Sequence, residues 1–236
     1  VMSDYIDTKK SGVLGIGYAE QRKKKRALKY RLKRRTHEVN KAIKNYLNYH
    51  PKNIIDLGTA DGEMLHMLSK NFNDTKFLGI EYNNDLVKYA NKKNTHNVEI
   101  IKGDVNDIHE ITKTKYDVVI ATAVIEHVDN PEVFMKNIYN LLNTNGILVL
   151  TAPDPMWEHI ATMVGHLEDE QHNEVPNIKR LRQLTEISNL RVELLQKFMI
   201  SPIGMIFEEK IESFLRFTGM SFMLANQLLV ARKDTL

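Results

Sequence analysis

Short apolar runs alternate with amphipathic stretches through the middle of the chain. Apolar residues in the longer stretches recur at helical spacing, whereas the short runs between them are typical of buried strands. The predicted strands are Asn53 to Leu57, Lys76 to Glu81, Val98 to Lys102, Tyr116 to Ala121 and Ile147 to Ala152. Strands separated by helices favour parallel pairing, so the pattern predicts an α/β fold whose parallel sheet is covered on both faces.

Helices are predicted in the intervals around these strands. They cover Thr36 to Asn48, Glu63 to Leu68, Leu86 to Asn91, Val105 to Ile111 and Pro131 to Leu142. Asn130 is the expected N-cap of the last of them, with Pro131 at its first position, and Asn145-Gly146 is the expected stop.

After Ala152 the regular alternation ends. Residues 153–176 form a polar, histidine-bearing connection that is too long for a routine loop, which indicates a lid or a binding insertion. A helix with inward-facing Ile178, Leu181, Leu184 and Ile187 is expected next. The tail predicts a strand near Arg191 to Ile200, a helix from about Ile203 to Phe217 and a strand near Gln227 to Arg232. The apolar residues of that tail helix would suit a cap over an apolar or lipid-linked ligand, although such residues more often belong to a core or a dimer face.

Charge is distributed unevenly along the chain. The segment Arg22 to Arg35 holds ten of the 33 lysines and arginines and no acid. The expected division is a basic N-terminal arm over residues 1–35 and a main domain over 36–236, with insertions near 153–176 and 201–220 on its ligand-binding side. The arm could bind RNA phosphates, a phosphorylated ligand or an anionic membrane surface, or it could be a solvated helix.

Composition removes several classes of chemistry. The chain has no cysteine, which excludes disulfides, thiol catalysis and cysteine-ligated metal. It shows no signal-peptide pattern and no apolar stretch of about 20 residues, so a cytoplasmic protein is expected, with peripheral membrane association through the arm as an option.

The turn after the first strand carries the strongest chemical signal. Asp56 ends the strand and is followed by Gly58, Ala60 and Gly62, small residues that allow the backbone to turn tightly at the edge of a parallel sheet. A dinucleotide site would place a third glycine where Glu63 stands, and no Lys-Ser/Thr follows to make a P-loop. A nicotinamide enzyme is therefore a remote alternative.

This segment resembles the signature Asp-x-Gly-x-Gly-x-Gly of class I S-adenosylmethionine-dependent methyltransferases, with Ala60 in place of the middle glycine. The resemblance spans roughly residues 50–153. It implies a three-layer α/β sandwich around a mostly parallel seven-stranded sheet in the order 3-2-1-4-5-7-6. The last strand would be antiparallel, and an N-terminal helix and lid insertions would complete the fold.

The resemblance also implies roles for acids at successive strand ends. Asp56 and Gly58 would border the methionine moiety, Glu81 would hold the ribose hydroxyls, and Asp104 with Val105 would contact the adenine. The full set of expected cofactor-binding residues is Asp56, Gly58, Ala60, Gly62, Glu81, Asp104, Val105 and Ala121. The cofactor would be S-adenosylmethionine, and the product S-adenosylhomocysteine.

Candidate residues on the acceptor side follow the fourth and fifth strands. Glu126-His127-Val128 is similar to a short sequence motif in small-molecule O- and C-methyltransferases of the ubiquinone-biosynthesis type. His127 is the candidate general base, although orienting the loop is an equally good role. The other acceptor-side candidates are Trp157, His159, His166 and His172. 

No metal is expected, because Ala123 stands where metal-dependent small-RNA methyltransferases have the first Glu of Glu-x-x-Glu-His. These observations predict methyl transfer to a small, lipid-linked or glycan-linked acceptor at oxygen, by a monomer or a homodimer. Two alternatives stay open: an RNA methyltransferase that uses the arm, and a non-catalytic cofactor-binding subunit.

Overall fold

A seven-stranded sheet lies at the centre of the computed structural model, which describes residues 14–93, 95–163 and 174–235. Its strands are β1 Asn53–Leu57, β2 Lys76–Glu81, β3 Val98–Lys102, β4 Tyr116–Thr122, β5 Leu142–Pro153, β6 Arg191–Phe198 and β7 Asn226–Arg232. The observed order is β3-β2-β1-β4-β5-β7-β6, which confirms the predicted topology. Strand β7 is antiparallel to both of its neighbours, and the remaining pairs are parallel.

Helices cover both faces of the sheet. They are α1 Ile16–Lys24, α2 Arg26–Tyr46, α3 Glu63–Ser69, α4 Asn84–Asn91, α5 Ile108–Ile111, α6 Pro131–Leu141, α7 Pro155–Met163, α8 Ile178–Ile187 and α9 Glu208–Phe217. The predicted N-cap is confirmed, because Asn130 Oδ1 accepts hydrogen bonds from the backbone N–H groups of Glu132 (3.0 Å) and Val133 (3.1 Å).

The strands supply the two core layers because alternate side chains point to opposite faces. Ile55 and Leu57 of β1 join the layer under α6 and α8, whereas Ile54 joins the layer under α2 and α3. Both faces of the sheet are therefore buried, and the connecting loops extend from the ends of its strands.

The N-terminal segment is more helical than the sequence analysis predicts. Helix α2 begins ten residues before Thr36, and α1 precedes it after a break at Lys25, whose ψ of 120° is extended. Tyr30 and Leu32 pack against the core, but the cations around them hide this apolar spacing in the sequence. Helix α2 crosses residue 35 without interruption, so a division into arm and domain at that point stays a prediction, as do the two insertions.

Three features of the C-terminal half also differ from the predictions. Helix α6 ends at Leu141 and β5 begins at once, so Asn145 (φ 64°) turns the backbone within the early part of β5. Helix α7 occupies the start of the predicted polar connection. Ile187, predicted to face inward, is 55% exposed because it lies in the last turn of α8.

The tail helix is shorter than predicted. Helix α9 begins only at Glu208, because Gly204 (φ 79°) and Phe207 (φ 60°) adopt left-handed conformations that a right-handed helix cannot contain. No helix in the described part of the chain is long and apolar enough to span a membrane.

Candidate cofactor and acceptor site

The carboxyl ends of β1, β2 and β3 lie side by side at one edge of the sheet. Asp56 pairs in register with Gly79, and Glu81 pairs with Lys102. The loop after β1 bends over the end of β2, because the N–H groups of Gly58 and Thr59 both donate to the carbonyl oxygen of Ile80 (2.9 and 3.0 Å). The loop after β1 thereby meets the acid at the end of β2.

Every second residue of this loop has a left-handed backbone. The φ angles are 75° at Gly58, 52° at Ala60 and 69° at Gly62. A Cβ atom on Gly58 would lie 2.6 Å from Cγ2 of Val124, and one on Gly62 would lie 2.3 Å from Cδ1 of Ile100. Glycine is thus required at both ends of the loop, whereas Ala60 tolerates the conformation at a cost of about 1 kcal/mol.

Glu81 is held in a fixed orientation by backbone groups. Its Oε2 accepts from the N–H of Ala60 (2.9 Å) and its Oε1 from the N–H of Asn83 (2.8 Å). Burial, with 6% of the residue exposed, raises the pKa of Glu81, and these backbone donors lower it. A carboxylate offers about four acceptor positions, so the backbone contacts leave room for a ligand hydroxyl.

Asp56 is the most strongly perturbed acid at this edge. It is 2% exposed, and burial raises its pKa to about 7, although the nearby Thr59 hydroxyl and Arg22 act in the opposite direction. Its Oδ1 atom is buried and has no hydrogen-bond partner among the described residues. Buried acceptors are normally paired, so this atom suits a donor supplied by a ligand.

Helix α1 covers the loop from outside. Ala19 packs against Ala60 and Leu86, and Nη1 of Arg22 lies 2.6 Å from Oδ1 of Asp61. Burial raises the pKa of Asp61, and the charge of Arg22 lowers it. This contact was not predicted, because in the sequence Arg22 is one cation of a basic run.

Two other arginines of that run also point inward. Arg34 is buried between Glu38 and Glu212, and its Nη2 lies 2.7 Å from Oε2 of Glu212. Nη2 of Arg35 donates to Oδ1 of Asn226 at the start of β7 (3.1 Å). Burial lowers the pKa of the Arg35 guanidinium, while Tyr18 and the buried Glu126 raise it. No sequence pattern marks these long-range partners.

Asp104 lies at the next strand end, after β3. Its Oδ1 accepts from the backbone N–H and the side-chain Nδ2 of Asn106 (both 3.0 Å). Oδ1 of Asn106 accepts from the N–H of Asp129 (3.1 Å), which ties this loop to the loop after β4. Val105 is half-buried against the core. The structure therefore brings Asp56, Glu81 and Asp104 to three adjacent strand ends.

The remaining predicted residues are dispersed. Ala121 is fully buried within β4 and packs in the core. His127 closes a 3-10 turn after β4, and its N–H donates to the carbonyl of Val124 (2.9 Å). Trp157 lies on α7 and its Nε1 donates to the carbonyl of Phe222 (2.8 Å), and His159 is exposed on the same helix.

His166 and His172 lie outside the described residues. Among the residues that are described, no group of three or more histidines, aspartates or glutamates could hold a metal ion.

The strand order and the acidic strand ends define the Rossmann-like fold of class I methyltransferases. The methyltransferase domain family model matches residues 21–195, and the chain belongs to this family.

Solved structures agree on the fold. An S-adenosylmethionine-dependent methyltransferase from Archaeoglobus fulgidus superposes with a TM-score of 0.61 at 19% identity, over 84% of this chain and 94% of that one. The plantazolicin methyltransferase BamL, crystallised with S-adenosylhomocysteine, superposes with a TM-score of 0.64 at 14% identity, over 93% of this chain and 89% of that one.

Curated relatives match about half of the chain. A malonyl-[acyl-carrier protein] O-methyltransferase of Halalkalibacterium halodurans is 28% identical over 114 residues, 46% of this chain and 42% of that protein. A ubiquinone biosynthesis O-methyltransferase of Rickettsia bellii is 27% identical over 114 residues, 48% of this chain and 47% of that protein. The chain thus spans less than half the length of these relatives.

Proposed function

We propose that the protein transfers a methyl group from S-adenosylmethionine to an oxygen of a small, lipid-linked or glycan-linked acceptor and releases S-adenosylhomocysteine. One observation carries this proposal. Asp56, Glu81 and Asp104 occupy three adjacent strand ends around a loop that requires glycine at Gly58 and Gly62. Family membership supports the reaction class.

The chemistry of the edge fits this cofactor better than a phosphorylated one. The buried carboxyl of Asp56 suits the ammonium end of the methionine moiety, and the oriented carboxylate of Glu81 suits the two ribose hydroxyls. Asp104, at the third strand end, suits the exocyclic amine of the adenine. A row of acids would repel a pyrophosphate, whereas it attracts the positive charge of a sulfonium cofactor.

Positioning supplies most of the catalysis in such a reaction. When bound, S-adenosylmethionine would supply a methyl group on a sulfonium, which is already an activated leaving group, and would leave as S-adenosylhomocysteine. Alignment of the acceptor oxygen at about 3 to 3.5 Å from the methyl carbon lowers the activation barrier by several kcal/mol. We assign His127, after β4, as the residue that takes the acceptor proton. The O-methyltransferase names of two relatives support transfer to oxygen.

The contacts of the basic run argue against the RNA alternative. Arg22 pairs with Asp61, and Arg34 pairs with Glu38 and Glu212, so these cations already neutralise protein carboxylates. Fewer charges of the run remain for phosphates than its sequence suggests.

Incubation with methyl-labelled S-adenosylmethionine and fractionated extracts tests the proposal. We expect labelled product that is bound to a small molecule, a lipid or a glycan, together with S-adenosylhomocysteine. Glu81→Gln should abolish most of the labelling, and Glu110→Gln, at an exposed site on α5, should not. Label found in RNA, or no S-adenosylhomocysteine with any fraction, would contradict the proposal.

A further inference from the structure

Helix α9 buries two acids and exposes two phenylalanines. Its inner face carries Glu208, Glu212 and Leu215, which are all buried, whereas Phe214 and Phe217 on the outer face are 62% and 90% exposed. A helix on the surface of a globular protein normally turns its large apolar side chains toward the core. This helix turns both of its phenylalanines to the outside.

The buried acids fix this orientation. Glu212 accepts from Nη2 of Arg34 (2.7 Å) and from the N–H of Met199 (2.7 Å). Glu208 Oε1 accepts from the N–H groups of Ile200 and Ser201 (both 3.1 Å). Turning the phenylalanines inward would break four hydrogen bonds to buried carboxylates, so their exposure is part of the fold.

The segment before α9 extends the same surface. Ile206 is 80% exposed, and Phe207 is 69% exposed although its left-handed backbone is unfavourable for a residue with a large side chain. We define the apolar face as the exposed large apolar residues between positions 203 and 222. They are Ile203, Met205, Ile206, Phe207, Phe214, Phe217, Met220 and Phe222. Exposed apolar residues in such a concentration mark an interaction surface.

Cations border the apolar face. Gly204 lies against Tyr30 of α2, where a Cβ atom would come within 2.4 Å of the ring, so the two segments touch. Lys33 and Lys210 line the groove between them, and Nζ of Lys210 is 5.4 Å from the centroid of the Phe207 ring. Arg26 is exposed and shares the side of α2 that carries Tyr30 and Lys33, at helical spacing.

The nearby acid is already neutralised. Glu209 lies 3.2 Å from both His37 and Lys41, so it does not cancel the charge of the bordering lysines. The apolar face also reaches the acceptor side of the sheet, because the carbonyl of Phe222 accepts from Trp157 on α7.

We propose that the apolar face docks on an anionic lipid bilayer. The phenylalanines enter the boundary between headgroups and acyl chains, and Arg26, Lys33 and Lys210 lie near the lipid phosphates. Charge argues for a bilayer over a second copy of the chain, because a two-fold contact through this face would bring like-charged lysines together. The inference goes beyond the methyl-transfer proposal and does not depend on it.

Vesicle sedimentation of the full chain, without cofactor, tests the inference. We expect binding to vesicles with equal parts of phosphatidylglycerol and phosphatidylcholine, and little binding to phosphatidylcholine alone. Phe214→Ser with Phe217→Ser should weaken binding about tenfold or more. Ile187→Ser is the control, because it removes a residue that is 55% exposed on α8, outside the apolar face.

The lysines give an independent test. Lys33→Gln and Lys210→Gln should each weaken binding to the anionic vesicles about fivefold, and Lys88→Gln, on α4, should not. Thermal unfolding should be unchanged in every variant, since the replaced side chains are exposed.

Three outcomes would overturn the inference. They are equal binding to both kinds of vesicle, full binding by the double phenylalanine variant, and a wild-type dimer that becomes monomeric in that variant without any vesicle binding.

Discussion

Asp56→Asn should stabilise the protein without ligand at alkaline pH. The pKa of Asp56 is raised from 3.8 to about 7 by burial, so the folded form keeps a proton that the unfolded chain has lost. The free energy of unfolding therefore falls as the pH rises between these two values. Asparagine has the same shape and carries no charge, so the variant should not lose this stability.

The magnitude follows from the size of the pKa shift. A shift of about three units corresponds to at most about 4 kcal/mol in the free energy of unfolding, all of it lost by about pH 8. For a domain of this size, each kcal/mol moves the melting temperature by about 2–4 °C. We expect the variant to melt several degrees above the wild type at about pH 8 and less than half as far above it at about pH 5, because by pH 5 the wild type has lost only the part of this stability that falls between pH 3.8 and 5.

Differential scanning calorimetry at the two pH values measures this effect. Asp129→Asn, which removes an exposed acid, is the control and should follow the wild type. S-Adenosylmethionine should reduce the difference in melting temperature between the variant and the wild type, because its ammonium group favours the charged form of Asp56. If Asp56→Asn melts below the wild type at the higher pH, or if both proteins respond equally to pH, the burial argument is wrong.

Two further predictions concern the inward arginines. Arg34→Ala removes the guanidinium that pairs with both Glu38 and Glu212 and leaves Glu212 only the longer contact with Arg216 (3.6 Å), so urea denaturation should show a loss of about 3 kcal/mol. A loss below about 1 kcal/mol would contradict the ion pair. Arg22→Gln removes the contact between α1 and Asp61, so stopped-flow measurements should show faster release of S-adenosylmethionine, and an unchanged rate would mean that α1 does not retain the ligand.

The sequence predicted the sheet well because its strands are buried on both faces. Continuous apolar runs such as Tyr116 to Ala121 have few alternative structures once helices flank them. The acids at positions 56, 81 and 104 lie at three neighbouring strand ends as expected, because each lies within two residues of the end of a predicted strand; their role in cofactor binding stays a prediction. Local order along the chain was enough for these features.

Features that depend on distant partners escaped prediction. Arg22 and Asp61 are 39 residues apart, and Arg34 and Glu212 are 178 apart, so no local spacing connects them. The first ten residues of α2 also escaped prediction, because most of them belong to the run of cations, whose role the sequence left open. Phe214 and Phe217 fit a core equally well by sequence, and only the buried glutamates of α9 decide which side of the helix faces outward.

Isothermal titration calorimetry with S-adenosylmethionine tests the central claim most directly. The wild type and Glu110→Gln should bind with the same affinity. Glu81→Gln should bind about 10- to 100-fold more weakly, because the proposed charge-assisted hydrogen bonds to the ribose hydroxyls would be lost. If the wild type does not bind, or if Glu81→Gln binds as tightly as the wild type, the acidic edge is not the cofactor site and the proposed function fails with it.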